Sequence, residues 1–394
     1  MKTWAFLGLF FIVIFILSTV SMASAAYKIS ATIPVGLAPW GLTYDSVKGE
    51  IFVANFFNDT VSVISDSSNT VVATIPVGTN PVYLAYDSGT NEVYVSNNGA
   101  GTVSVISDRS NTVIATIPVD SNPESVVYDA AKGEIYVACW GSDSVSVISD
   151  RTHTVIATVH VGSRPMDLVF DSAKGTVFVG NKDSSGNSTV SVISDNDHTV
   201  IATVGVGIGP GNLAYDPRKG QIFVPCDQQV SIISDETNTL VDTQNGYAGV
   251  SGAHDAANGI SFYSGFKDGT AVVWVVSDST HEVIANLTLL KGGVSYDIVF
   301  DSEKGVAYAG DGNVTVYAIS DSSLPSVSYS PTLSVSASPS PIATVPSSST
   351  GDPENNSDSK LNVPIEVIDA VFIIAALAIV VVVVLVIRGR KRIK

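Results

Sequence analysis

The sequence predicts an all-β fold, a seven-bladed β-propeller, followed by a single C-terminal transmembrane helix. Two observations carry the propeller. The phrase "VSVISD" stands at Val61, Val103, Val145 and Val190, and looser copies begin at Val230, Val273 and Val316. Successive copies lie 42, 42, 45, 40, 43 and 43 residues apart, the period of an architecture in which each repeat supplies one four-stranded blade. Within a repeat, four β-branched and aromatic runs alternate with turn residues, as in "VYLAYD", "EVYVSN", "TVSVISD" and "TVIATIPV". The helix rests on a third observation, an uncharged apolar run close to the C-terminus.

In chain order, residues 1–25 are expected to be a signal peptide. Lys2 precedes the apolar run "WAFLGLFFIVIFILSTV", and an A-x-A site follows at Ala23, Ser24 and Ala25. An uncleaved anchor is the other reading of so long a run. The propeller is expected over 26–321. Its first segment, "ISATIPV" (29–35), reads as an outer fourth strand with no blade before it, while the last repeat stops at "VYAISD" without a fourth strand. The orphan strand therefore completes the seventh blade and closes the ring. An open solenoid would instead expose both end faces, and caps are missing.

Turn chemistry supports the blade count. After the first run of every repeat, an Asp is followed four residues later by Gly or Asn, from Asp45/Gly49 and Asp87/Asn91 through Asp301/Gly305. Asp bonds the amides of its own turn, and Gly or Asn accepts the positive φ that ends it. These aspartates are expected to be turn residues and not a metal ring. The Asp of "ISD" is expected to act similarly before the third turn, where Asn69, Asn111, His153, His198, Asn238 and His281 recur. Three of the five histidines are thereby read as turn residues.

Beyond the repeats, residues 322–364 are rich in Ser, Thr and Pro, cannot bury a core, and read as a stalk. Residues 365–387 are expected to form the transmembrane helix: the uncharged run from Ala370 to Ile387 is long enough, at roughly 27 Å, to span a bilayer core. The tail 388–394, "RGRKRIK", is basic and belongs in the cytoplasm by the positive-inside rule, which places the propeller at the cell surface. Setting Lys2 and the tail aside leaves 14 basic residues against 37 acidic ones, a net charge of about −23. That balance excludes nucleic acid as a partner and suits divalent cations bridging surface carboxylates.

With second strands reading "FVAN", "YVSN", "YVAC", "FVGN" and "FVPC", and "TVSVISD…TVIATIPVG" around them, the repeats resemble the YVTN-repeat β-propellers of archaeal surface-layer and cell-surface proteins. The resemblance covers about residues 27–321 and departs from the pattern in the sixth and seventh blades. It implies a place in the cell envelope, with envelope proteins or glycans as partners, and fixes no ligand.

Propellers gather ligands at the channel mouth, so candidate binding residues are sought in the loops entering the inner strand and leaving the second. The first set holds Trp40, Tyr83, Glu124, Asp167, Asn212 and Asp297; the second holds Phe56, Phe57, Trp140, Lys182, Asp183, Asp227, Phe266 and Asp311. Aromatics among carboxylates and amides suit a glycan or protein partner, and packing between blades is the alternative use of the aromatics. No catalytic residue, cofactor or metal site is expected: a histidine cluster and a nucleophile-elbow sequence are both missing. An extracytoplasmic enzyme or small-ligand binder remains the second reading. The insertion "NKDSSGNS" (181–188) is a weaker calcium candidate. Cys139 and Cys226, two blades apart, are expected to be free buried thiols. Candidate N-glycosylation acceptors are Asn58, Asn187, Asn286, Asn313 and Asn355.

Overall fold

The computed structural model describes residues 27–322, except 228, 246–248, 256, 281 and 292. The segments expected as signal peptide (1–25), stalk (322–364, Ser322 aside), transmembrane helix (365–387) and tail (388–394) lie outside the described residues, as do His281 and Asn355.

Among the described residues, twenty-eight strands form seven antiparallel four-stranded sheets. Strand β1 (Tyr27–Pro34) stands alone, and the first blade follows as β2 (Pro39–Asp45), β3 (Glu50–Asn55), β4 (Thr60–Ser65) and β5 (Thr70–Pro76). Blades two to six span 81–118, 123–160, 165–205, 214–245 and 249–291. The seventh has three strands of its own over 298–321, and β1 pairs with the third of them, from Tyr27↔Asp321 to Pro34↔Thr315. The expected closure by the N-terminal strand is therefore what the chain forms. Among the described residues the fold is an all-β, seven-bladed propeller.

The core lies between blades. Both faces of the middle strands are covered, so the period-2 alternation divides apolar residues between two neighbours. In β3, Phe52 and Ala54 pack toward blade two, whereas Ile51 and Val53 pack toward blade seven. In the repeated phrase, Val61 and Val63 join the first of these cores and Ile64 the second. Ser62, inside the run, has a different task. Asn55, the Asn of the second-strand pattern, donates from Nδ2 to Ser62 Oγ (2.9 Å) and Thr60 Oγ1 (3.1 Å), and its Oδ1 accepts from Gly36 N (3.0 Å). Asn97 and Asn181 make the same bonds to their own third strands. A buried amide donating in this way to its own third strand favours one register.

Each outer strand carries a bulge, because Val63 pairs with Ala73 and Ile64 with Val71, leaving Val72 between them. Val72, Ile114, Ile156 and Ile201 occupy this place and are about half exposed. A bulged outer edge resists pairing with another strand.

The expected turns are present. The carboxylate of Asp45 accepts from the amides of Val47 (2.8 Å) and Lys48 (3.1 Å), and Gly49 has φ +66°. Equivalent bonds recur at Asp87, Asp171, Asp216, Asp255 and Asp301. Asn69, Asn111, His153, His198 and Asn238 all have positive φ. The Asp of "ISD" meets its own turn at Asp108 and Asp150, through the amides of Arg109 and Arg151. Elsewhere it also reaches sideways to the preceding blade: Asp195 pairs with Lys132 (3.0 Å) and Asp235 with Lys174 (3.2 Å). The turn histidines also face a neighbour, His153 meeting Glu92 and His198 meeting Glu134, both at 3.0 Å. Local sequence rules identify turns; only the ring brings these partners together.

Candidate functional site

One end of the ring, the turn face, carries the tight turns just described. The other, the loop face, carries the loops that enter inner strands and leave second strands. These two loops of a blade bond each other: Phe56 N donates to Ala38 O (3.0 Å), Asn98 N to Asn80 O (2.9 Å) and Trp140 N to Asn122 O (2.9 Å). Each acceptor residue has positive φ and stands directly before the proline that opens the inner strand. The frame is constant, and its side chains vary.

Trp40, Tyr83, Glu124 and Asp167 lie on the inner strands themselves rather than in the loops before them, whereas Asn212 and Asp297 stand in loops. Strand alternation sorts them into two levels. The second residue of an inner strand faces the preceding blade. Trp40 stacks on Tyr296 of blade seven (4.5 Å between ring centroids, 16°) and leans on Phe56 (4.8 Å); Phe57 meets Phe56 edge-on (5.0 Å, 85°). Phe57 is 68 % exposed, and Leu37 and Val314 are exposed apolar neighbours across the same seam, because Phe57 N bonds Leu37 O and Ala38 N bonds Asn313 O. Trp140 lies apart from this group, with the Arg164 guanidinium over its ring at 5.2 Å. Glu124, also at the second position, accepts from Asn98 Nδ2 (2.9 Å), and burial lifts its carboxyl to about 7.

The third residue faces the following blade and lines the throat. Asp167 accepts from the amide of Leu213 in blade five (2.6 Å); Asp297 accepts from the amide of Leu42 in blade one (2.8 Å) and from Ser251 in blade six (2.7 Å). Ser125 accepts from the amide of Leu168 (3.3 Å). These side chains are pins between blades. Burial is the main cause that raises Asp167 and Asp297 to about 6, against the hydrogen bonds that lower them. In blade one the position is Gly41, where a Cβ would lie 2.4 Å from Val82 O, so only glycine fits the approach of blade two. Tyr83 crosses the throat and exchanges hydrogen bonds with Asn212 of blade five (3.1 and 3.3 Å).

The remaining candidates fall outside both groups. Asp183 accepts from Ser185 N (2.7 Å) within the insertion of blade four, and that bond holds its carboxyl below the usual range. Phe266 belongs to the second strand of blade six, paired with Ala271, not to a loop. Buried Asp311 accepts three amides of its own loop, Asn313, Val314 and Thr315. Asn58, Asn187, Asn286 and Asn313 are all exposed, and Asn58 Oδ1 accepts from Leu37 N. Cys139 and Cys226 are free and buried, as expected, and burial pushes the Cys139 thiol up to about 11. Among the described residues no three metal-ligating side chains converge. Tyr296, in the aromatic group, and Leu37 beside it were not reached from sequence; their counterparts in other blades differ, so nothing repeats to mark them.

The fold and site define a seven-bladed propeller with a polar throat and an aromatic rim. No family model matches the chain, and no curated protein is similar to it. Among solved structures, the chain is similar to one titled Kuenenia stuttgartiensis Hydrazine Synthase, at 16 % identity and a TM-score of 0.61, covering 71 % of this chain and 95 % of that one. At that identity the likeness supports the propeller fold alone.

Proposed function

We propose that the chain is a non-enzymatic cell-surface protein that presents its propeller for envelope structure or adhesion, binding a glycan or protein partner on the loop face. The observation that carries this reading is the Tyr296–Trp40–Phe56–Phe57 group, which ends in an exposed ring beside exposed Leu37 and Val314. Aromatic faces at a rim with amides and carboxylates nearby suit sugar rings and interface anchors. The throat, by contrast, spends its polar groups on holding blades together. The export signals and the resemblance to YVTN-repeat surface proteins support the location, with the C-terminal helix as anchor.

Phe57→Ala is the decisive variant, since Phe57 is exposed and supports no core, whereas Trp40 also packs a seam. Screened against glycan arrays and envelope extracts, wild-type protein binds and Phe57→Ala loses at least tenfold in affinity at unchanged melting temperature. Equal binding by both would sink the proposal.

A second reading has its own observation. Glu124 near 7 and Asp167 and Asp297 near 6 are carboxyls shifted toward neutrality by burial, a pattern shared by active sites and structural pins. A small-ligand or catalytic role for the channel predicts a ligand or metal retained stoichiometrically after purification and lost in Asp167→Asn.

A further inference from the structure

Buried apolar clusters fill six of the seven seams, and among the described residues the seam between blades five and six has none. The sequence shows why. On the face a blade turns toward its predecessor, three positions are apolar in the other six blades, one on the inner strand and two on the second. Blade one has Leu42, Ile51 and Val53, blade four has Leu168, Val177 and Val179, and blade seven has Ile298, Ala307 and Ala309, all buried. In blade six the same register holds Gly252, Ser261 and Tyr263. Gly252 is exposed, and Tyr263 is 39 % exposed. The facing wall of blade five is uncovered to match. Phe223 and Pro225 are half-buried, where their counterparts Phe52 and Ala54 in blade one and Tyr136 and Ala138 in blade three are fully buried.

The pins of the throat pass this seam by. Blade five is tied to blade four through Leu213 N and Asp167 (2.6 Å) and to blade two through Asn212 and Tyr83 (3.1 Å). Blade six is tied to blade seven through Ser251 and Asp297 (2.7 Å). Among the described residues the side-chain bonds across the gap run through Arg218, at the turn face. Its guanidinium bonds His254 Nε2 of blade six (3.0 Å) and pairs with Asp278 (3.5 Å). A guanidinium only donates, so His254 Nε2 accepts and its Nδ1 hydrogen faces Ser261 Oγ (3.2 Å). Ser261 in turn donates to Asp278 Oδ1 (2.7 Å). The Arg218 side chain is exposed, and an exposed ion pair holds far less than the apolar cores of the other seams.

We infer that the ring opens between blades five and six, with Arg218 as the latch, and not at the seam that the N-terminal strand closes. The closing strand is held by main-chain pairing from Tyr27↔Asp321 to Pro34↔Thr315, and Ile33 is buried in one core with Leu42, Ile51 and Val53. Opening at blades five and six leaves the four paired strands of every blade intact. It parts side chains that already meet solvent and gives the throat a side entrance between Asn212 and Ser251. The inference concerns the ring and does not depend on the proposed function.

The test uses the full chain with Cys139→Ala and Cys226→Ala and one reporter cysteine at equivalent, buried third-strand positions. Ile232→Cys reports on the seam between blades five and six, Val192→Cys on that between four and five, and Ala318→Cys on that between seven and one. Alkylation by iodoacetamide under native conditions is followed by mass spectrometry, with urea midpoints showing that each variant is folded. Ile232→Cys is expected to react at least about tenfold faster than the other two, because local opening at one seam exposes it alone. Adding Arg218→Met speeds that reaction by about threefold or more and leaves the other reporters unchanged. Adding Gly252→Leu with Tyr263→Val restores the apolar pair of blade one and slows it toward the rate at the other seams. Equal rates at the three seams would overturn the inference, as would the fastest reaction at Ala318→Cys. A fast Ile232→Cys reaction indifferent to Arg218→Met and to the restored pair would mark a fixed gap and overturn the latch.

Discussion

The two ends of the ring are built on opposite principles. On the turn face the same residues return in blade after blade, and most of their polar groups meet a neighbour: turn Asp to its own amides, turn Lys to the next Asp, turn His to the previous Glu. On the loop face only the main-chain frame returns, and the side chains at equivalent positions include Trp40, Glu124 and Tyr296 at one level and Gly41, Tyr83 and Asp167 at the next. Repetition therefore marks the end that holds the ring together. Divergence marks the end free to recognise something.

Glycine substitutions break this comparison most sharply. Gly175 on the turn face has φ +64°, and a Cβ there would lie 2.5 Å from Asp195 Oδ2; Gly101 on the loop face has φ +63° with nothing within 4 Å. Gly175→Val is expected to cost roughly 3 kcal/mol or more, through a positive φ disfavoured by a branched residue and a clash with a buried carboxylate. Gly101→Asn is expected to change stability by less than about 0.5 kcal/mol, since Asn tolerates that conformation. Urea unfolding of the two variants measures the contrast.

The throat tests it next, by pH. Asp167 and Asp297 are raised from the ordinary carboxylate value to about 6, so the folded state holds more protons than the unfolded state between about 4 and 6. Their contribution is fully present below the unfolded value and is lost as pH rises through the folded one. Stability accordingly falls over that window, by at most about 3 kcal/mol per group. Asp167→Asn keeps an acceptor for Leu213 N and is expected to flatten the fall, measured as unfolding free energy at pH 4.5 against pH 7.

Lys132→Met separates the faces at smaller amplitude. It leaves Asp195 buried without its ammonium and is expected to cost about 1–2 kcal/mol while loop-face binding stays unchanged. The mildest expectation concerns Cys139, whose thiol is buried and pushed up to about 11. It should resist alkylation in native protein and react fully once unfolded, as mass spectrometry would record.

Much of the fold was legible in the chain. The spacing of "VSVISD", the Asp-to-Gly turns and the unpaired first strand led to seven blades and a closed ring, because each is a local pattern with a local cause. The site was legible only as positions. Trp40, Phe56 and Phe57 could be named from the loops that do not repeat, but their stacking on Tyr296 could not, since blade seven departs from the repeat. The cross-blade partners of the "ISD" Asp were not legible for a related reason: a side chain that bonds its own turn is indistinguishable in sequence from one that also reaches a neighbour.

By itself the sequence determined strand identity, blade number, turn type and the closing strand, all of which follow from backbone preferences and side-chain alternation within a few dozen residues. The tertiary structure decided which side chains meet across seams. Leu42 and Asp297 are 255 residues apart, and Tyr83 and Asn212 are 129 apart. Such pairs depend on the twist of each blade and the closure of the ring, and neither is a property of any one segment.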